Sequence, residues 1–215
     1  MDYSRKISER LWNFAEIGLG DKYFGRGYFM IFKEYGKTGK LLSVVGNGGT
    51  KRFSKERSIE ENAEILLYSF EQGINHFDTG EFYNHTNCED IYGHAIKQLK
   101  RDTFYAGSKN CPLGPMNCDT KEKIKASVQK SLDRMNLDRF DFYYLWQVKT
   151  MNEYEIAMRP GGIMEGLMEL KSDGIIGHIL FSAHMQGDEI IPILETGLLE
   201  PKSDLHMLPY LPVQH

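Results

Sequence analysis

Residues 73–109 open as Gly73-Ile74-Asn75-His76-Phe77-Asp78-Thr79-Gly80-Glu81-Phe82-Tyr83 and close as Asp102-Thr103-Phe104-Tyr105-Ala106-Gly107-Ser108-Lys109, with an amphipathic segment between. A short apolar run delivers Asp78, Tyr83 follows in the next turn, and the second apolar run delivers Lys109. An acid, a phenol and an amine thus each fall just after a strand-like segment. The intervening stripe of Ile91, Tyr92, Ala95, Ile96 and Leu99 has helical spacing and predicts a helix over 89–99. The stretch therefore reads strand, helix, strand.

The same alternation extends in both directions. Upstream, residues 32–35 and 40–42 flank a turn with Gly36 and Gly39, which is a hairpin signal. Residues 42–46 then read as the first buried strand, ending in Gly46-Asn47-Gly48-Gly49-Thr50. Ser58 and Glu61 form a capping box ahead of Ala63, Leu66, Leu67 and Phe70, and Gly73 stops that helix. The second and third strands are expected at 74–77 and 103–106. Downstream, a helix is expected from Asp119 with Glu122 as cap partner, carrying Ile124, Val128, Leu132 and Met135. A strand at 140–145, a helix at 163–170 ending at Gly174, a strand at 176–181 and a helix at 189–194 ending at Gly197 follow. One weak strand fits near 204–208. Short, largely apolar strands alternating with helices predict an α/β protein whose parallel sheet is covered on both faces. An open doubly wound sheet and a (β/α)₈ TIM-barrel type both satisfy this pattern, and both place sites beyond the C-terminal ends of strands.

Composition narrows the function classes. The chain has 215 residues, a formal net charge of −4 and 12% aromatic residues. No basic patch dominates, so no nucleic-acid partner and no membrane surface is expected. The odd set Cys88, Cys111 and Cys118 fits a reducing compartment, and the charged N-terminus lacks a signal-peptide apolar region. A cytoplasmic location is the resulting expectation. Residues 1–30 lack sustained periodicity and are expected to be an N-terminal extension to a domain at 31–215. His85 and Cys88 lie close together, but no further ligand at zinc spacing accompanies them, so no metal site is expected.

The chemistry suggested by Asp78, Tyr83 and Lys109 is proton transfer. A free phenol has a pKa of about 10 and is a poor acid at neutral pH. A nearby ammonium stabilises the phenolate, and a carboxylate can hold that ammonium in place. A carbonyl being reduced by hydride needs a proton on its oxygen, which such a phenol can donate. By residue types alone, a plain Asp–Lys ion pair beside an ordinary tyrosine is the commoner reading of such a set.

The wording of several segments resembles the aldo-keto reductase family. These are Tyr35-Gly36-Lys37-Thr38-Gly39, Leu42-Ser43-Val44-Val45-Gly46, Gly73 to Thr79 with Glu81-Phe82-Tyr83, Lys109, Asp138 to Leu145, and Gly174 to Ile179 with Phe181-Ser182. The resemblance runs in order over residues 31–200. It implies a TIM barrel that uses NADP(H) to reduce an aldehyde or ketone, a small-molecule carbonyl substrate. Under it Tyr83 resembles the proton donor, Lys109 the residue that lowers the phenol's pKa, and Asp78 the partner that orients the lysine. Gly48, Gly49 and Thr50 resemble the loop beside the nicotinamide ribose and pyrophosphate, and Ser182 a residue that holds the carboxamide; Asp78 also borders the cofactor.

The chain departs from the family pattern in three places. Ala183 stands where the family often has Asn or Ser. Trp146 aligns with the family's catalytic histidine, and indole cannot accept or relay a proton. Trp146 is expected either to line a substrate pocket or to be a core or rim aromatic. Nothing after Leu199 matches the later strands, so about five to six of eight strands are expected. Such a barrel would be incomplete at its C-terminal end, with open edges that favour self-association. A second reading follows from these departures: a truncated, reductase-like protein without turnover that binds or assembles with a partner.

Overall fold

The computed structural model describes residues 30–195 apart from 37, 50–52, 84–86, 114–116 and 186, together with a strand at 206–209. The expected extension at 1–30 therefore lies outside the described residues except for Met30. The chain forms two compact units, Met1–Tyr35 with Gly39–Ala106 and Arg134–Asn136, and Gly36–Thr38 with Gly107–Asp133 and Leu137–His215.

The first unit begins with strands β1 (Phe32–Glu34) and β2 (Leu41–Ser43), an antiparallel hairpin in which Phe32 faces Ser43. The expected buried strand at 42–46 does not form. Leu42 and Ser43 are taken up by the hairpin, and Val44 and Val45 are more than half exposed. Hydrogen bonding explains the bend. The Ser43 N–H donates to Asn75 Oδ1 (2.8 Å), its hydroxyl donates to the Val45 carbonyl (2.7 Å), and Val44 N–H donates to Ile31 O (2.9 Å). The chain re-enters strand geometry only at β3 (Asn47–Gly48), which pairs in parallel with β4 (His76–Asp78).

Between them lies α1 (Ile59–Glu71), started by the predicted capping box. Glu61 N–H donates to Ser58 Oγ (3.1 Å) and Ser58 N–H to Glu61 Oε2 (2.8 Å). Gly73, at φ 92°, ends the helix in a conformation that costs glycine nothing. Helix α2 (Cys88–Ile96) follows β4, and a 3₁₀ turn at Arg101–Thr103 replaces the expected start of the third strand. Phe77, fully buried on β4, organises this unit's core. Its ring lies 6.3 Å from that of Phe70, 6.1 Å from Tyr92 and 5.8 Å from Phe104. Aromatic pairs at such spacing add to what area burial provides.

The division between units falls inside β5 (Tyr105–Asn110) and near the end of α3 (Lys121–Met135). In the second unit β5, β6 (Phe140–Val148), β7 (Ile176–Ala183) and β8 (His206–Pro209) are parallel and adjacent in chain order. Phe140, Phe142, Tyr143, Tyr144 and Leu145 are all buried. Apart from Asp141, which is also buried, the run is apolar, as a strand covered on both faces requires. Thr120, not Asp119 with Glu122, caps α3, through Lys123 N–H to Thr120 Oγ1 (3.3 Å). Helix α4 (Met151–Met158) forms where the sequence pattern predicts no element, although Thr150 caps it through Glu153 N–H (3.2 Å). Helices α5 (Ile163–Ser172) and α6 (Gly187–Glu195) complete the alternation. Among the described residues, no helix is long and apolar enough to cross a membrane.

Helices α3 and α5 share an ion network. Lys121 Nζ lies 2.8 Å from Glu165 and 3.1 Å from Glu169, and Lys125 Nζ 2.8 Å from Glu169. Hydrogen bonds from Lys125 and then Lys121 hold the Glu169 carboxyl below its ordinary range, and Lys121 does the same for Glu165. A carboxyl with a depressed folded value contributes stability above its unfolded value of about 4.3, and that contribution is lost as pH falls through the lower folded value. The melting-temperature gap between the native chain and Glu169→Gln should therefore be wider at pH 7 than at pH 2. A gap equal at both pH values would count against the network. Ser58→Ala should cost about 1 kcal/mol, read as a drop of roughly 2–4 °C in a thermal melt.

Candidate active site

In the first unit, the C-terminal ends of β3 and β4 bring Gly48, Gly49 and Asp78 together. Gly48 is in register with Asp78, and the Gly49 N–H extends the ladder by donating to Asp78 O (3.0 Å). Asp78 is the last residue of its strand and half-buried, rather than lying beyond the strand as the sequence predicts. Gly48 is exposed, and a Cβ built there would meet nothing within 4 Å. Gly49 is the opposite case: a Cβ would collide with the Cys88 sulfur and press on Tyr92 and Thr79. One glycine leaves main chain open to a ligand, and the other lets helix α2 approach the strand end. Thr50 lies outside the described residues.

Tyr83 is half-buried and follows a turn closed by its own N–H to Gly80 O (3.0 Å). The segment is anchored through Glu81, whose carboxylate lies 3.1 Å from Arg134 Nη2. Arg134 also binds Glu89, at 2.6 Å through Nη2 and 2.7 Å through Nε. Glu89 is fully buried. Burial works against the Arg134 charge, but Glu89 and then Glu81 outweigh it and hold the guanidinium above its ordinary value. A buried carboxylate needs such a partner, because an uncompensated one would be strongly destabilising.

In the second unit, Lys109 is 6% exposed inside β5, again within the strand rather than after it. It is in register with Tyr144 of β6, and its Nζ lies 4.9 Å from the centroid of that ring. A cation over an aromatic face is attracted by the ring quadrupole, more so where water is excluded. The next residue is pinned as well: Asn110 Nδ2 donates to Ser127 Oγ (2.7 Å), and Cys111 N–H donates to Asn110 Oδ1 (2.8 Å). Burial pushes the Cys111 thiol up, which makes it a poor nucleophile.

Trp146 is half-buried and lies in the part of β6 where pairing with β7 shifts between Leu145 and Val148. Gln147 beside it has φ 59°, a left-handed conformation uncommon outside glycine. The irregularity re-aims side chains at the strand end, as bulges do. Ser182 is half-buried in β7 and in register with Leu208 of β8.

Every predicted site residue that is described thus lies at or near the C-terminal end of a parallel strand or in the turn that follows. The sequence reading missed several neighbours. Tyr144 carries the cation contact of Lys109, and Arg134 anchors the Tyr83 segment. Tyr92, read as part of an apolar stripe, places its phenol oxygen 2.8 Å from Asn47 O and 3.3 Å from Asp78 O. The available signal was that Cys88 and Tyr92 stand four residues apart on one helix face. The first unit presents a carboxylate beside an open glycine and, in the turn after β4, a phenol; the second presents a buried lysine. These are the groups that acid–base work on a polar substrate needs.

Comparison with known proteins places these strand ends in a family. The aldo/keto reductase family model matches residues 45–195. A probable voltage-gated potassium channel subunit beta of Arabidopsis thaliana is 29% identical over 60% of this chain and 41% of its own length. An L-galactose dehydrogenase of the same plant is 27% identical over 65% of this chain and 44% of its own. The chain thus spans less than half the length of these curated relatives. A crystal structure of a Bombyx mori aldo-keto reductase in complex with NADP superposes with TM-score 0.59 at 16% identity, covering 80% of this chain and 56% of that one. The likeness decides the choice left open by periodicity: the fold is α/β of the (β/α)₈ barrel type rather than an open doubly wound sheet. With most of its length inside the matched span, the chain belongs to the aldo/keto reductase family.

Proposed function

We propose that this chain carries out NADPH-linked reduction of an aldehyde or ketone, or the reverse oxidation, with Tyr83 as proton donor. The observation that carries this reading is the family match over residues 45–195, which spans Asp78, Tyr83, Lys109 and Ser182. The Bombyx mori aldo-keto reductase solved in complex with NADP supports the cofactor. The residues fit a dinucleotide: Gly48 leaves exposed main chain with open space where a side chain would stand. Gly48, Gly49 and Thr50 would border the ribose and pyrophosphate, and Ser182 would hold the carboxamide.

When bound, the nicotinamide supplies the hydride. Tyr83 gives its hydroxyl proton to the substrate oxygen as charge builds there. By the family resemblance, Lys109, shielded from water, would stabilise the phenolate that results and Asp78 would orient the lysine. The Tyr144 ring restrains the Lys109 head group. The Glu81–Arg134 pair limits movement of the Tyr83 segment. Trp146 stands where family members carry a second polar group and presents an apolar wall to the substrate instead.

That substitution, together with similarity to a protein named as a channel subunit, favours one second reading: a reductase-like protein that binds or assembles without turnover. The two separate in one experiment. Carbonyl-dependent oxidation of NADPH is followed after a fluorescence titration has established nucleotide binding. Under the catalytic reading Tyr83→Phe binds NADPH as the native chain does and loses on the order of 10²-fold or more in kcat. A native chain that binds NADPH but turns over no carbonyl in a broad aldehyde and ketone screen would support the second reading. Unchanged turnover in Tyr83→Phe would remove that residue from its role.

A further inference from the structure

Strand β3 is two residues long, yet it carries the main chain assigned above to the nucleotide loop. Helix α2 reaches over that strand with two polar groups one turn apart. Tyr92, fully buried, sets its phenol oxygen 2.8 Å from Asn47 O, 3.3 Å from Asn47 Oδ1 and 3.3 Å from Asp78 O. Cys88, also fully buried, donates its thiol to Gly49 O (3.3 Å) and accepts from Thr79 Oγ1 (3.0 Å). The two side chains therefore reach main-chain carbonyls at three positions, Asn47, Gly49 and Asp78. These belong to the two strand ends that converge beside Asp78.

We propose that Tyr92, assisted by Cys88, is a positioning residue that locks the Gly48–Gly49 main chain against Asp78 and thereby sets affinity for the dinucleotide. The inference rests on the proposed function for what the loop holds, but not for the lock itself. A parallel pair of two residues contributes few ladder bonds, and a short strand without support slips or frays. One hydroxyl proton donates to one acceptor best, and the 2.8 Å distance assigns it to Asn47 O. Asp78 O is already occupied by the Gly49 N–H and lies within reach of the same phenol. Removing the hydroxyl takes one donor from the buried Asn47 carbonyl and leaves it to the strand pairing alone, a loss felt locally because the ring stays packed on Phe77 and Phe53. Phenylalanine fits that site, so a loss in Tyr92→Phe would report the hydrogen bonds and not the packing.

The test compares amide hydrogen exchange in the full 215-residue chain with Tyr92→Phe and with Cys88→Ala, alongside NADPH titration of all three. Tyr92→Phe should speed exchange at 47–49 and 78–80 on the order of fivefold or more. Residues 63–70 of α1 should stay at the native rate, and the NADPH Kd should rise severalfold. Cys88→Ala should act in the same place and direction, and it serves if Tyr92→Phe does not fold. Exchange at native rates in both variants would overturn the lock. Faster exchange with unchanged NADPH affinity would overturn its link to the nucleotide. A native chain that binds no NADPH would sink the proposed function instead, and the exchange comparison would then decide the lock by itself.

Discussion

Two residues, Asn47 and Gly48, make up all of β3, and a strand that short cannot set its own register. Much of the first unit is arranged around that constraint. Phe77, opposite Asn47 in the pairing, packs on Phe70, Tyr92 and Phe104, so the core and the register share one anchor. Tyr92 does two jobs with one side chain: its ring fills the core and its hydroxyl meets the strand carbonyls. Gly49 is required by the same geometry, because any side chain there would occupy the space of the Cys88 sulfur. Burying hydroxyl and thiol groups is tolerable only because each finds a partner.

The charged groups near the candidate site follow a similar rule. Glu89 is fully buried, and Arg134 answers it while reaching Glu81 on the segment that leads to Tyr83. Gly93 lies beneath this link. A Cβ at that position would strike the Arg134 carbonyl and leave too little room for the Met135 backbone, so glycine lets the two chain segments meet. In the second unit Lys109 is nearly as buried, and the Tyr144 ring offers it a cation–π contact. Both arrangements hold a charge still by surrounding it, and a still charge is what acid–base chemistry requires of its supporting residues.

Much of this was legible in the sequence because it rests on local signals. The Ser58–Glu61 capping box, the stops at Gly73 and Gly174, and the largely apolar run from Phe140 to Leu145 depend on neighbours within a turn or a strand. So does the arrival of Asp78 and Lys109 at strand ends. The errors have equally physical causes. Val44 and Val45 have strand propensity, but the Asn75 side chain captures the Ser43 amide and the chain bends before them. Asn75 stands thirty-two residues from Ser43, beyond any local window. Helix α4 leaves little trace in the sequence although Thr150 and Glu153 supply a start signal, because its apolar stripe is thin and the helix is short. The irregular pairing at Trp146 and Gln147 has no signature in residue type.

The alternation of strands and helices, the family, and the residue types that stand at the strand ends can all be read from the order of residues along the chain. Periodicity and capping act over a few residues, and those reactive types are fixed by the code. Which backbone atoms those side chains meet depends on how distant segments fold together. The Tyr92 phenol lies forty-five residues from the Asn47 carbonyl that it contacts, and Arg134 forty-five from Glu89. In a helical stripe Tyr92 is one more large apolar residue. Only when the helix closes over β3 does its hydroxyl become the donor that a two-residue strand needs, because a hydrogen bond depends on position in space and not on order along the chain.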